Sequence, residues 1–127
     1  MQARHFLVPV DGSKSSGRTL DYAIEIAECI GAKITLMYVL DKTEDEDVLD
    51  AKSILRDLRD YASKKNVKVT LKLVRGEPWK EIVKEAKHGY YLVIIGSKGR
   101  SGISRMLLGS VAENVARKSP CPVTIVR

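Results

Sequence analysis

The stretch "YYLVIIGSKGRSGISRMLLGS", residues 90–110, joins a run of apolar and aromatic residues to a long glycine-rich segment. Its first part predicts a buried strand at residues 90–95. The segment that follows contains four glycines, three basic residues and no acidic residue. A helix is predicted directly after it, where apolar residues recur at helical spacing between residues 111 and 116. One strand, one loop and one helix therefore follow each other here, and the same alternation extends along the whole chain.

Apolar runs predict the other strands at residues 5–10, 32–40, 67–74 and 120–127, and amphipathic stretches between them predict helices. Gly31 fits the carboxyl-terminal cap of the first helix, and Pro78 fits the first turn of the third. The 67–74 run alternates apolar and polar residues, which predicts a half-exposed strand near a sheet edge. Strands that alternate with helices need crossover connections, so the sequence predicts a parallel sheet with helices on both faces.

Length and composition favour one domain spanning residues 1–127, with 44% hydrophobic and 30% charged residues. No apolar run approaches the roughly 20 residues that a membrane-spanning helix needs. The first ten residues are too short and too mixed for a secretory signal and are interpreted as the first strand. Cys29 and Cys121 have apolar neighbours, which predicts buried free thiols and a reducing, cytoplasmic environment.

Charge is unevenly distributed within the net charge of +6. Residues 1–63 hold 8 Lys and Arg against 12 Asp and Glu, a net −4, whereas residues 64–127 hold 14 against 4, a net +10. The basic half is compatible with nucleic acid, with a smaller polyanion or with a plain solvated surface. The acidic segment 41–50 favours a helix start over a metal site, because it lacks the turn glycine of a calcium loop.

The glycine-rich segment predicts a phosphate site. Ser110 and Glu113 fit a capping box, which predicts that the last helix begins at Ser110 with Gly109 just outside it and free N–H groups at its start. Helix amino termini attract anions, and Gly96 and Gly99 allow the backbone to approach a phosphate closely. A plain strand-to-helix connection is the alternative. Such connections usually have 2–6 residues, whereas this one has about fourteen.

Two common nucleotide motifs are absent from the sequence: G-x-x-x-x-G-K-[ST], and G-x-G-x-x-G after the first strand. Asp11 follows the first strand directly, where a carboxylate can accept hydrogen bonds from two ribose hydroxyls. A structural turn in Asp-Gly-Ser is the alternative role for Asp11. Because a phosphate-binding loop is predicted beside it, recognition of a nucleoside is the favoured role of Asp11.

The glycine spacing resembles a known signature. Gly96-x-x-Gly99, nine residues and then Gly109-Ser110 is similar to the ATP-binding signature of the universal stress protein family. "VPVDGSKSS" (8–16), "GEPWKEIVKEA" (76–86) and "SPCPVTIVR" (119–127) resemble the family's opening, third helix and closing strand. The resemblance implies a three-layer α/β/α fold with a five-stranded parallel sheet in the order 3-2-1-4-5. This fold is Rossmann-like and similar to that of adenine nucleotide α-hydrolases, and the family is commonly homodimeric.

The resemblance also implies roles for individual residues. Asp11 and the backbone of Gly96 would hold the ribose, and the backbone of Val39 would contact adenine. The phosphates would be held by Gly99, Gly109 and Ser110. The acidic 41–50 connection is shorter than in many relatives and leaves the wall beside adenine undetermined. The complete set of expected ligand-binding residues is Pro9, Val10, Asp11, Val39, Gly96, Ser97, Gly99, Arg100, Gly109, Ser110 and Val111.

The favoured function is a cytoplasmic, ATP-binding regulatory or stress-response protein that presents its nucleotide state to a protein partner. Mg²⁺ would be bound through the phosphates, and the apolar terminal strand at 123–127 would pair two chains into a homodimer. The alternatives are a slow ATPase or nucleotide-transferring enzyme of the adenine nucleotide α-hydrolase type and, third, a nucleic-acid binder. Residues 96–112 contain no Asp, Glu, His, Gln or Asn to activate a water, so no catalytic residue is assigned.

Overall fold

A computed structural model of the chain describes residues 4–98 and 108–127. Strands and helices alternate throughout these residues. No helix in the described ranges combines the length and the apolar composition that crossing a lipid bilayer requires. In chain order the elements are β1 (His5–Val10), α1 (Lys14–Ile30), β2 (Lys33–Asp41), α2 (Val48–Ser63), β3 (Val69–Gly76), α3 (Pro78–Ala86), β4 (Leu92–Gly96), α4 (Ser110–Lys118) and β5 (Val123–Val126).

All five strands form one parallel sheet in the order β3-β2-β1-β4-β5, which confirms the expected order. β1 lies at the centre, with Phe6 paired to Ile34 of β2 and to Leu92 of β4. The reversal of strand order falls between β1 and β4, so their carboxyl ends diverge into a crevice that suits a ligand.

Successive side chains of β1 point to opposite faces of the sheet and so contribute to two separate layers of the core. Phe6 and Val8 are fully buried against α1 and α2, whereas Leu7 is buried on the opposite face against α3 and α4. The three-layer α/β/α arrangement follows from this alternation, because each face of a central parallel strand needs a helical cover. β3 and β5 form the two edges, and their residues are mostly half-buried, as predicted for β3.

The helix ends follow the expected local chemistry at three positions. Gly31 has φ 70°, and its N–H donates to the carbonyl of Ala27 at the end of α1. Asp47 caps α2 by accepting from the N–H of Leu49 at 2.8 Å, which confirms a helix start inside the acidic segment. Pro78 occupies the first turn of α3.

Two packing predictions are wrong. Cys29 is exposed and Cys121 only half-buried, because the buried positions of α1 follow Ala23 and Ala27, and Cys29 lies on the opposite face. Tyr91, predicted to lie within the fourth strand, precedes β4 and is 50% exposed. Its ring lies on the surface, where the guanidinium carbon of Arg4 is 4.8 Å from the ring centroid.

Candidate functional site

A cleft of about 300 Å³ opens at the carboxyl ends of β1, β2 and β4, beside the first turns of α1 and α4. We call it the carboxyl-edge cleft. Gly99 and Arg100, which were predicted to bind the ligand, and Arg105 lie outside the described residues. Every other predicted site residue lines the cleft, namely Pro9, Val10, Asp11, Val39, Gly96, Ser97, Gly109, Ser110 and Val111.

Asp11 lies in the turn that leads from β1 into α1. Its Oδ1 accepts from the N–H of Ser13 at 2.9 Å and from the hydroxyl of Ser16 at 3.0 Å, so the turn role of this aspartate is present. Oδ2 receives no hydrogen bond within residues 4–98 and 108–127 and is left as an acceptor. Gly12 follows at φ +82°, and a Cβ there would lie 2.9 Å from Cδ1 of Ile54, so only glycine suits this turn.

The start of the glycine-rich connection is held from two sides. The N–H of Ser97 donates to the carbonyl of Val126 on β5 at 2.8 Å, and the carbonyl of Lys98 accepts from the hydroxyl of Ser15 at 2.9 Å. A Cβ on Gly96 would lie 3.1 Å from Oγ1 of Thr19, so a side chain at residue 96 would crowd the amino-terminal part of α1. Gly96, Ser97 and Lys98, at the start of this connection, all line the cleft.

The start of α4 corrects the capping-box prediction. Gly109, not Ser110, is the N-cap residue, and no side chain caps the helix. Glu113 accepts instead from Arg117 at 3.1 Å, one helical turn onward. The N–H of Gly109, which was expected to be free, donates to the carbonyl of Ser97 at 2.6 Å. The N–H groups without an intrahelical acceptor are therefore those of residues 110–112, and these three residues line the cleft.

The end of β2 contributes an acidic wall. Oδ1 of Asp41 accepts from both the N–H (2.9 Å) and the hydroxyl (2.7 Å) of Thr43. These hydrogen bonds hold the pKa of Asp41 below its usual value. Glu46 accepts from the N–H of Asp41 at 2.6 Å and from the hydroxyl of Tyr38 at 3.1 Å. Asp41, Glu44 and Glu46 all line the cleft, at the end opposite α4.

Within residues 4–98 and 108–127, no group of three or more His, Cys, Asp and Glu side chains is placed to hold a metal ion. His5 shares a hydrogen bond of 2.6 Å with the hydroxyl of Thr35.

Several cleft residues were not assigned from the sequence. Ser15, Ser16 and Thr19 on α1 form one wall, and Asp41 forms part of another. The position of the 10–17 loop after a central strand pointed to this region, because such loops meet at the carboxyl edge of a parallel sheet. No sequence signal distinguished Asp41 from the other acids of the 41–50 segment.

Comparison with known proteins decides the family. The model of the Universal stress protein family matches residues 2–127. The chain belongs to the universal stress protein family. It is 32% identical to universal stress protein YxiE of Bacillus subtilis, over 95% of this chain and 97% of that protein.

Two solved structures of universal stress proteins contain nucleotides. One, from Archaeoglobus fulgidus, is a complex with dAMP, with 29% identity, a TM-score of 0.80 and complete coverage of both chains. Another is a complex with cAMP, with 31% identity, a TM-score of 0.75 and coverage of 98% of this chain and 97% of that one. The chain therefore shares its fold with two universal stress proteins whose structures were solved as complexes with dAMP and cAMP.

Proposed function

We propose that the carboxyl-edge cleft binds an adenine nucleotide, with ATP as the ligand, and that the bound nucleotide is a regulatory state and not a fuel. The protein would then act in a stress response by presenting its nucleotide-bound form to a protein partner in the cytoplasm. The nucleotide complexes of the two relatives support the class of ligand.

The order of the cleft residues across the sheet is the observation that carries this proposal. β2, β1 and β4 are adjacent, Val39 lies two residues before the end of β2, and Asp11 and Ser97 directly follow the ends of β1 and β4. Neighbouring strands are about 4.8 Å apart, so these three positions span about 10 Å. Base, sugar and phosphate follow one another in the same order along a nucleotide. The open Oδ2 of Asp11 then suits a ribose hydroxyl, which needs an acceptor.

The phosphates would lie at the start of α4. The N–H groups of residues 110–112 lack intrahelical acceptors, and the helix dipole places partial positive charge at this end. Lys98 adds a cationic side chain to the same part of the cleft. A magnesium ion would be held by phosphate oxygens and water, since no carboxylate lines this end among the described residues.

The sheet edge at β5 suits self-association. β5 has β4 on one side and no strand on the other within the described residues, and its four residues are all half-buried. A second copy could pair with this edge about a two-fold axis, which gives a homodimer through residues 123–127.

Calorimetric titration with Mg-ATP tests the nucleotide site, combined with mass spectrometry of the supernatant after the purified protein is denatured. We expect one ATP per chain. Asp11→Asn keeps an oxygen for the Ser13 turn but replaces the acceptor Oδ2 by an N–H donor, and we expect about tenfold weaker binding.

Asp50→Asn is the matched control, because Asp50 lies in the first turn of α2, away from the carboxyl-edge cleft. It should leave the ATP affinity unchanged. A folded parent protein that binds no ATP at millimolar concentration would contradict the proposal.

A further inference from the structure

Four carboxylates, those of Asp11, Asp41, Glu44 and Glu46, line a cleft that we have assigned to an anionic ligand. Asp41 lines this cleft at the end of β2, two residues after Val39. α4 starts beyond β4, and β4 is separated from β2 by β1. The separation across the sheet is therefore about 10 Å or more, so Asp41 lies away from the phosphate end and beside the position proposed for the base.

The hydrogen bonds of Asp41 orient its two oxygens differently. Both bonds from Thr43 end on Oδ1, whereas Oδ2 receives no hydrogen bond from any residue that the structure describes. The backbone N–H of Asp41 donates to the carboxylate of Glu46, which also accepts from the hydroxyl of Tyr38. These two hydrogen bonds hold the end of β2 in place. The pKa of Asp41 is lowered by the Thr43 bonds, which keeps the side chain ionised at neutral pH. Oδ2 is thus a fixed anionic acceptor.

An ionised carboxylate accepts hydrogen bonds and donates none, so the edge of the base that faces it must carry N–H groups. We propose that Asp41 is a specificity-determining residue that accepts a hydrogen bond from the 6-amino group of adenine. A 6-oxo group in the same place would put two acceptors against each other, and the site would reject it. This inference rests on the proposed function and names the chemical feature of the base that the site selects.

The test compares three triphosphates that differ only at position 6 of the purine: ATP, purine riboside triphosphate without the amino group, and inosine triphosphate with an oxo group. For the unchanged chain, we expect about tenfold weaker binding of purine riboside triphosphate than of ATP, and weaker binding still of inosine triphosphate. A charge-assisted hydrogen bond sets this factor.

Asp41→Asn separates recognition from structure. The asparagine oxygen can still accept from Thr43, so its Nδ2 would face the cleft in place of Oδ2. We expect the preference for ATP over inosine triphosphate to fall by about tenfold or to reverse. Asp45→Asn is the matched control, because Asp45 belongs to the same acidic segment but does not line the carboxyl-edge cleft, and it should keep the parental preference.

The outcomes separate the two proposals. If no triphosphate binds, the proposed function fails, and this inference fails with it. If ATP and purine riboside triphosphate bind equally well, or if Asp41→Asn keeps the parental preference, nucleotide binding stands and the role of Asp41 is wrong. A preference for guanosine over inosine triphosphate that Asp41→Asn removes would also overturn it, because Asp41 would then contact a 2-amino group. Equal binding of ATP and purine riboside triphosphate by the unchanged chain would overturn the role of Asp41 even if the variant does not fold.

Discussion

The N–H of Gly109 donates to the carbonyl oxygen of Ser97 across 2.6 Å and so joins the two ends of the connection between β4 and α4. This hydrogen bond places the start of α4 beside the end of β4, whatever path the residues between them follow. It also changes which groups can meet an anion. The N–H of Gly109 is used inside the protein, and those of residues 110–112 form the open end of the helix.

Gly109→Val is expected to weaken ATP binding without unfolding the chain. Gly109 is buried beside the cleft with φ −64° and ψ 152°, a conformation that valine adopts readily. The branched side chain would fill space at the first turn of α4. Blocking one hydrogen bond to a charged phosphate costs about 1.5–3 kcal/mol of binding free energy, so we expect about 10- to 100-fold weaker binding by calorimetry. A variant that melts like the parent and binds ATP with parental affinity would refute the phosphate position.

Gly17→Ala is expected to stabilise the protein. Gly17 lies inside α1, and a Cβ there would have no heavy atom within 4 Å. Alanine loses less backbone entropy than glycine on entering a helix, which predicts a gain of about 0.5–1 kcal/mol. Urea unfolding monitored by circular dichroism measures it. ATP affinity should stay parental, so this variant also serves as a control for Gly109→Val. A lower free energy of unfolding would show that residue 17 has a role other than helix formation.

Glu85 of α3 belongs to a cluster of polar side chains, and its hydrogen bonds make the free energy of unfolding depend on pH. Its side chain pairs with Lys72 and accepts from the hydroxyl of Tyr90 at 2.7 Å. Burial raises the pKa of Glu85, but the hydrogen bonds from Lys72 and Tyr90 outweigh it and leave the pKa below 4.5. A carboxyl pKa that is depressed in the folded state stabilises the fold fully above the unfolded value, and this stabilisation is lost as pH falls below about 4.5.

Glu85→Gln should therefore cost about 1–2 kcal/mol at pH 7 and less at pH 3, where the stabilisation that the charge provides has begun to be lost. Urea unfolding of both proteins at the two pH values gives the difference. An equal cost at pH 7 and pH 3 would show that packing, and not the charge on Glu85, stabilises this cluster.

Thr124→Lys is expected to dissociate the proposed dimer. Thr124 lies on edge strand β5, and two-fold pairing would bring two added lysines close together. Thr70→Lys is the matched control on the opposite edge strand, β3, where Thr70 is exposed. Sedimentation velocity at micromolar concentration should show a dimer for the parent and the control and a monomer for Thr124→Lys. A monomeric parent, or a dimer that only Thr70→Lys disrupts, would rule out the β5 interface.

ATP turnover is expected to be very slow. The described cleft residues at the α4 end include no carboxylate or imidazole to orient a water, and residues 96–112 contain none in their sequence. Asp11 and Asp41 lie towards the positions that we propose for the sugar and the base. Multiple-turnover assays with saturating Mg-ATP should give a rate well below about 1 s⁻¹, the lower end of ordinary enzyme rates. A faster rate that Gly109→Val abolishes would favour the enzyme alternative.

Local sequence signals predicted most of the fold. The apolar runs located all five strands to within a few residues, and Gly31, Pro78 and the acidic segment marked helix ends correctly. The predicted strand ends were wrong where the pairing between strands, and not the residue composition, determines where a strand begins. Tyr91 continues an apolar run, and its N–H donates to the carbonyl of His5 on β1 at 2.8 Å, yet the residue-by-residue register with β1 begins only at Leu92.

The sequence by itself determined the parallel α/β class and the placement of Asp11, Gly96 and Gly109 at the carboxyl edge, because periodicity and glycine spacing are local properties and parallel topology brings strand ends to one edge. Only the tertiary structure decided how those groups are used. Gly109 is an N-cap whose N–H is taken by Ser97, and Asp41 enters the cleft with one oxygen bound and the other open. The physical reason is that hydrogen-bond partners depend on distances between segments remote in the chain, which residue spacing alone does not specify.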